Sequence, residues 1–128
     1  MYGITKLVAT LWMSSMARKN PSVRFVTISP GGTVGTAFAR DMSLFQQMMS
    51  VIIMPAMKLF GKMHSLDVGA KRYVDALLDD GEDYKTGVFY ASKKDVSGEV
   101  VDQIQFVDLY HNEQYQDNAS IAVHKFIK

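Results

Sequence analysis

The chain has 128 residues, 48% of them hydrophobic and 21% charged, which suits one ordinary globular domain with a core of its own. Fourteen Lys and Arg against thirteen Asp and Glu leave a net charge of +1, too little for the strong positive face a nucleic-acid binder needs. Cysteine is absent, which excludes disulfides, thiol catalysis and thiolate zinc sites, and His64, His111 and His124 are too scattered for a metal motif.

Ile4, Leu7, Val8, Leu11, Trp12 and Ser15 recur at helical spacing until Asn20-Pro21, which predicts a helix over about residues 3–18. The same stretch imitates a signal peptide only faintly, because Lys6 is its lone basic residue and Thr10 breaks the short apolar run. No apolar run approaches the roughly 20 residues of a membrane span. A cytoplasmic location is therefore expected. Residues 23–28, Val-Arg-Phe-Val-Thr-Ile, read as a parallel strand covered on both faces, ending in Ser29-Pro30-Gly31-Gly32. That loop falls at the strand's carboxyl end, where open α/β sheets bind ligands.

Residues 43–63 carry almost no polar face and are interrupted by Pro55. They read either as a buried helix pair or as an adaptable, Met-rich apolar lid. Ser65 is a candidate N-cap for a helix through Val68, Arg72, Tyr73, Ala76 and Leu77, ended by Gly81. Gly87–Ala91 reads as a second buried strand, Ser97-Gly98 as a turn, and Val100–Ile104 as a short extended piece. Asn112 is a candidate cap for a last helix with Ala119, Val123, Phe126 and Ile127 on one face. Without repeats, low-complexity tracts or linkers, residues 1–128 read as a single domain or fragment.

Tyr2-Gly3-Ile4-Thr5-Lys6 sets a phenol and an ammonium four residues apart, on one face of a helix. A free phenol has a pKa near 10, too high for proton exchange at neutral pH. A nearby cation favours the phenolate and fits the group for acid/base work. Tyr90 and Lys94 repeat the spacing, but their surroundings read as a strand running into a turn, so Tyr90 is taken as structural.

Tyr-x-x-Thr-Lys opening a helix, an apolar strand about 20 residues later, Ser-Pro-Gly at its end, an apolar segment, a helix, the Gly-Val-Phe-Tyr-Ala strand and a terminal helix follow in order. In this order and spacing the chain resembles the second half of the short-chain dehydrogenase/reductase family over essentially its whole length. The resemblance implies an α/β fold, the C-terminal part of a Rossmann-like doubly wound parallel sheet that lacks the N-terminal dinucleotide-binding half. It implies a segment of an NAD(P)-dependent oxidoreductase acting on a carbonyl/alcohol substrate, apolar or bulky given the Met-rich stretch. Tyr2 would be the catalytic acid/base, and Lys6 would bind the nicotinamide ribose and lower the phenol's pKa. Pro30 and Gly31 would line the nicotinamide pocket, and of Thr33 and Thr36, both on offer, the spacing suggests Thr36 for the carboxamide contact. A homo-oligomer through the 3–18 helix is expected, with neither nucleic acid nor membrane as partner.

The departures from that family bound the expectation. No G-x-G-x-x-G loop is present to seat a pyrophosphate, and the serine that polarises the carbonyl, normally on the strand before the tyrosine, is missing. The isolated chain is thus expected to be inactive and to bind no dinucleotide, with NAD or NADP bound only in an intact parent protein. Two other classes compete: a non-catalytic truncated product or oligomerisation module, and a lipid-surface binder using residues 44–60. An upstream glycine-rich loop in frame would discriminate against the first of these, and vesicle co-sedimentation tests the second.

Overall fold

The computed structural model describes residues 2–33, 43–94 and 96–127. Helix α1 (Tyr2–Lys19) has no glycine beyond Gly3 and no proline, and Arg18 and Lys19 in its last turn complement the negative end of its dipole. The Asn20 backbone N–H and side-chain Nδ2 both donate to the Met16 carbonyl, at 3.0 and 2.9 Å, closing the helix before Pro21. Then follow β1 (Thr27–Ile28), α2 (Leu44–Leu59), α3 (Leu66–Leu78), β2 (Phe89–Lys94), β3 (Ser97–Asp102) and α4 (Glu113–Phe126). Two short 3-10 turns, Gln103–Gln105 and Asp108–His111, join β3 to α4. The result is a mixed α/β chain whose small sheet has the order β1-β2-β3. Among the described residues no helix is long and apolar enough to cross a membrane.

The parallel pairing expected of the first strand is present: Thr27 faces Phe89 and Ile28 faces Tyr90. Its extent is shorter than residues 23–28, and both residues are only half-buried. Gly87 explains this, because its φ of +79° takes it out of extended space, so the partner strand begins at Phe89 rather than Gly87. Before that point the two segments are held by single bonds, from Gly87 N to Phe25 O at 2.7 Å, from Thr27 N to Val88 O at 3.2 Å and from Phe25 N to Thr86 Oγ1 at 3.0 Å. The turn expected at Ser97-Gly98 falls earlier, at Val96, and both residues belong to β3. The extended piece ends at Asp102, whose carboxylate accepts the Ile104 N–H at 2.8 Å and starts the first 3-10 turn.

The chain divides into two compact units. The first comprises Met1–Ile28, Leu78–Tyr90 and Asp102–Lys128. Its core includes the contact of α1 with α4, and Ser14, Ser15, Ala17, Ala119 and Ser120 are buried within the unit. Ser15 Oγ donates to Asp117 Oδ1 at 2.7 Å, and Arg18 Nε to Gln116 Oε1 at 2.8 Å, so the buried Ser15 and Gln116 are satisfied across the contact, whereas the buried Trp12 Nε1 has no hydrogen-bond partner among the described residues. Ser14 Oγ donates to Gly87 O at 2.8 Å, and a Cβ on Gly87 would lie 3.2 Å from that of Ala17. Asn112 caps α4 as expected, its Oδ1 accepting the Tyr115 N–H at 3.1 Å. Of the expected apolar face Ala119 is buried and Val123 half-buried, while Phe126 and Ile127 are exposed; Gln116 and Ser120 are buried beside Ala119.

The second unit comprises Ser29–Leu77 and Ala91–Val101. Here residues 44–59 form one helix through Pro55, not a buried pair, and many of its large apolar side chains are exposed. Pro55 cannot bond the Val51 carbonyl, but Val51 is itself exposed, so water can serve that oxygen. Helix α3 buries Gly69, Arg72 and Ala76, while Val68, Tyr73 and Leu77 are exposed. Close packing selects the small residues.

Candidate active site

Tyr2 opens α1 and Lys6 follows one turn later, so the two positions share a helix face, and Lys6 is exposed. Both belong to the first unit, whereas Pro30 and Gly31 belong to the second; each group is described within its own unit. Thr36 lies outside the described residues.

The competing pair has a different geometry. Tyr90 and Lys94 lie on β2, where extended backbone separates positions four apart by about 13 Å. Tyr90 is buried, its hydroxyl accepts the Lys85 N–H at 2.7 Å, and its ring meets Tyr84 edge-on at 4.9 Å. Burial pushes the Tyr90 hydroxyl above the usual phenol range; the Lys85 N–H opposes this only in part. These are the contacts of a packing residue.

In the second unit the Ser29–Thr33 loop is tied down along its length. Arg72, 5% exposed, donates through Nη1 to Ser29 O at 3.2 Å and Ser92 Oγ at 3.0 Å, and through Nη2 to Gly98 O at 2.9 Å. His64 Nε2 lies 2.7 Å from Pro30 O; because a carbonyl only accepts, that nitrogen carries the proton. The His64 N–H donates to Gly32 O at 2.9 Å, and Thr33 bridges His64 in parallel fashion. Gly31 N donates to Ser29 Oγ at 3.2 Å, and Gly32 N to Val96 O at 2.5 Å.

Gly31 has a φ of +73°, and a Cβ there would come within 2.8 Å of Val96 O, the Arg72 guanidinium and the His64 ring. The close approach that requires a glycine is therefore made to this chain's own atoms. Arg72 and His64 were not among the residues singled out from sequence as functional. The available signal was Arg72 itself, a charge spaced four residues from both Val68 and Ala76 on a helix read as apolar-faced. Burial of an arginine at such a position implies a set of acceptors waiting for it.

Among the described residues no group of three or more His, Asp and Glu side chains is placed to hold a metal ion. No protein family matches the chain, and neither does any curated protein or solved structure.

Proposed function

We propose that this chain is a segment of an NAD(P)-dependent oxidoreductase of the short-chain dehydrogenase/reductase type, acting on a carbonyl/alcohol substrate, with Tyr2 and Lys6 as its catalytic pair. The observation that carries the reading is the continuous helix from Tyr2 to Lys19, which sets these two positions on one face, while the alternative tyrosine is buried on a strand. The parallel pairing of β1 with β2, with the Ser29-Pro30-Gly31 loop immediately after β1, supports it as the beginning of a Rossmann-like sheet.

Tyr2 Oη gives its proton to the substrate oxygen in reduction and takes it back in oxidation. The Lys6 ammonium favours the phenolate and binds the ribose hydroxyls of the dinucleotide. When bound, the nicotinamide supplies or accepts the hydride. Pro30 and Gly31 would line its pocket, and Thr36 would contact the carboxamide. The Gly31 N–H is used by Ser29 Oγ and the Gly32 N–H by Val96 O, so what the loop would offer the nicotinamide is a fixed wall rather than free donors. The sequence holds no G-x-G-x-x-G seat for the pyrophosphate. The isolated chain is accordingly inactive, and turnover belongs to a protein that joins it to a dinucleotide-binding half.

Two measurements test this. Calorimetric titration of the 128-residue chain with NAD and NADP gives no micromolar binding; clear single-site binding would refute the division of labour. A protein joining this segment to such a half consumes NAD(P)H with a panel of apolar ketones and aldehydes. Absence of turnover across the panel, with the dinucleotide bound, would refute the assignment.

A further inference from the structure

Residues 43–65 contain Lys58, Lys62 and His64 and no Asp or Glu. Within them α2 carries Leu44, Met48, Val51, Ile52 and Leu59, at offsets of 4, 7, 8 and 15 residues from the first. At 3.6 residues per turn these positions fall in one stripe about 100° wide and about 23 Å long. All five side chains are at least 70% exposed. The opposite side of the helix, at Ser50 and Met57, is the half-buried one. The stripe is an outward face built from the side chains that folding most favours burying.

Two features say what covers it. Lys58, in the last turn of α2, and Lys62, in the bend just after it, lie at the C-terminal end of the stripe, both exposed, with no carboxylate from the same segment to neutralise them. On the flank of the helix away from the rest of the stripe, Ile52, Ile53, Ala56, Met57, Phe60 and Lys62 line an apolar groove of about 520 Å³. A second copy of the same stripe would leave those cations unmatched. An apolar stripe ending in two exposed cations matches an anionic phospholipid surface, with the acyl boundary against the stripe and the phosphates against the lysines.

We propose that α2 docks on an anionic phospholipid surface, with the Leu44–Leu59 stripe in the acyl boundary and Lys58 and Lys62 against the phosphates. The docking lies in the interfacial plane and needs no membrane-spanning helix. It stands independently of the oxidoreductase reading.

The test is co-sedimentation of the 128-residue chain with vesicles of phosphatidylcholine alone and of phosphatidylcholine mixed with phosphatidylserine. The chain pellets with the mixed vesicles and is released in part by salt, which screens the lysines. Met48→Gln combined with Ile52→Gln weakens this binding by about tenfold or more, since each side chain loses its burial in lipid. Lys58→Gln combined with Lys62→Gln weakens it by about fivefold per lysine, and only on the anionic vesicles. Circular dichroism and melting of both variants match the parent, because the substituted side chains face solvent. The proposal is overturned if the mixed vesicles pellet no protein, or if both variants bind as well as the parent. It is equally overturned if light scattering shows an oligomer that the Met48/Ile52 variant dissolves while vesicles recruit nothing, because a second copy then occupies the stripe.

Discussion

Replacing Arg72 with alanine removes a buried cation that donates to Ser29 O, Ser92 Oγ and Gly98 O at 3.2, 3.0 and 2.9 Å. Ser92 is buried, and its hydroxyl left without this donor costs about 1–3 kcal/mol. Ser29 is half-buried and Gly98 exposed, so water serves their carbonyls in part, and the expected loss is about 2–4 kcal/mol. That is a large share of the 5–15 kcal/mol typical of a small domain. Arg72→Lys keeps the charge but replaces a planar fork by a point donor unable to reach all three acceptors, so it recovers only part of the loss. Urea denaturation followed by circular dichroism measures the difference. Hydrogen exchange locates it, with the Gly32 and His64 amides exchanging faster because their bonds to Val96 O and Gly32 O rest on the same loop. A destabilisation below about 1 kcal/mol for Arg72→Ala, with unchanged Gly32 exchange, would show that the guanidinium does not hold the loop.

Asp117 links stability to pH. Hydrogen bonds from Ser15 and Lys19, joined by the Arg18 and Lys19 charges against a smaller effect of burial, hold its carboxyl below the ordinary 3.8. A depressed folded-state pKa contributes stability that is fully present above that ordinary value and is lost as pH falls through the folded one. Asp117→Asn should therefore lower the melting temperature at neutral pH and converge with the parent under strong acid. A constant difference at every pH would refute the linkage. Tyr90→Phe leaves the Lys85 N–H without its acceptor and should cost about 1 kcal/mol by urea denaturation, with the fold retained. Light scattering at micromolar concentration should give a homodimer or larger assembly through α1; a monodisperse species at the monomer mass of 14.3 kDa would refute it.

What the sequence made legible was governed by short-range physics. α1, the Asn112 cap of α4 and the parallel sense of Thr27–Ile28 follow from periodicity, a side-chain acceptor and an apolar run bounded by turn residues. The errors came where a distant contact overrides local pattern. Gly87 adopts a positive φ beside Ala17, shifting the start of β2, a constraint invisible in a Gly-Val-Phe-Tyr run. On α3 and α4 the buried faces hold Gly69, Arg72, Gln116 and Ser120, because close approach and hydrogen bonding set the packing there, and large apolar residues lie outside. Hydrophobic periodicity cannot find such faces. At the candidate site, the Tyr2/Lys6 spacing was readable, but the hold of Arg72 and His64 on the Ser29–Thr33 loop depends on residues 35 to 69 positions after Ser29, and only the folded chain brings them together.

The claim that Tyr2 is the proton carrier is tested most directly by comparing Tyr2→Phe with Tyr90→Phe in a protein joining this segment to its dinucleotide-binding half. Single-turnover hydride transfer and dinucleotide affinity are measured for each. Tyr2→Phe should slow turnover by about 10²–10⁴-fold with dinucleotide affinity nearly unchanged, while Tyr90→Phe stays close to the parent. Substantial turnover by Tyr2→Phe together with its loss in Tyr90→Phe would contradict the account.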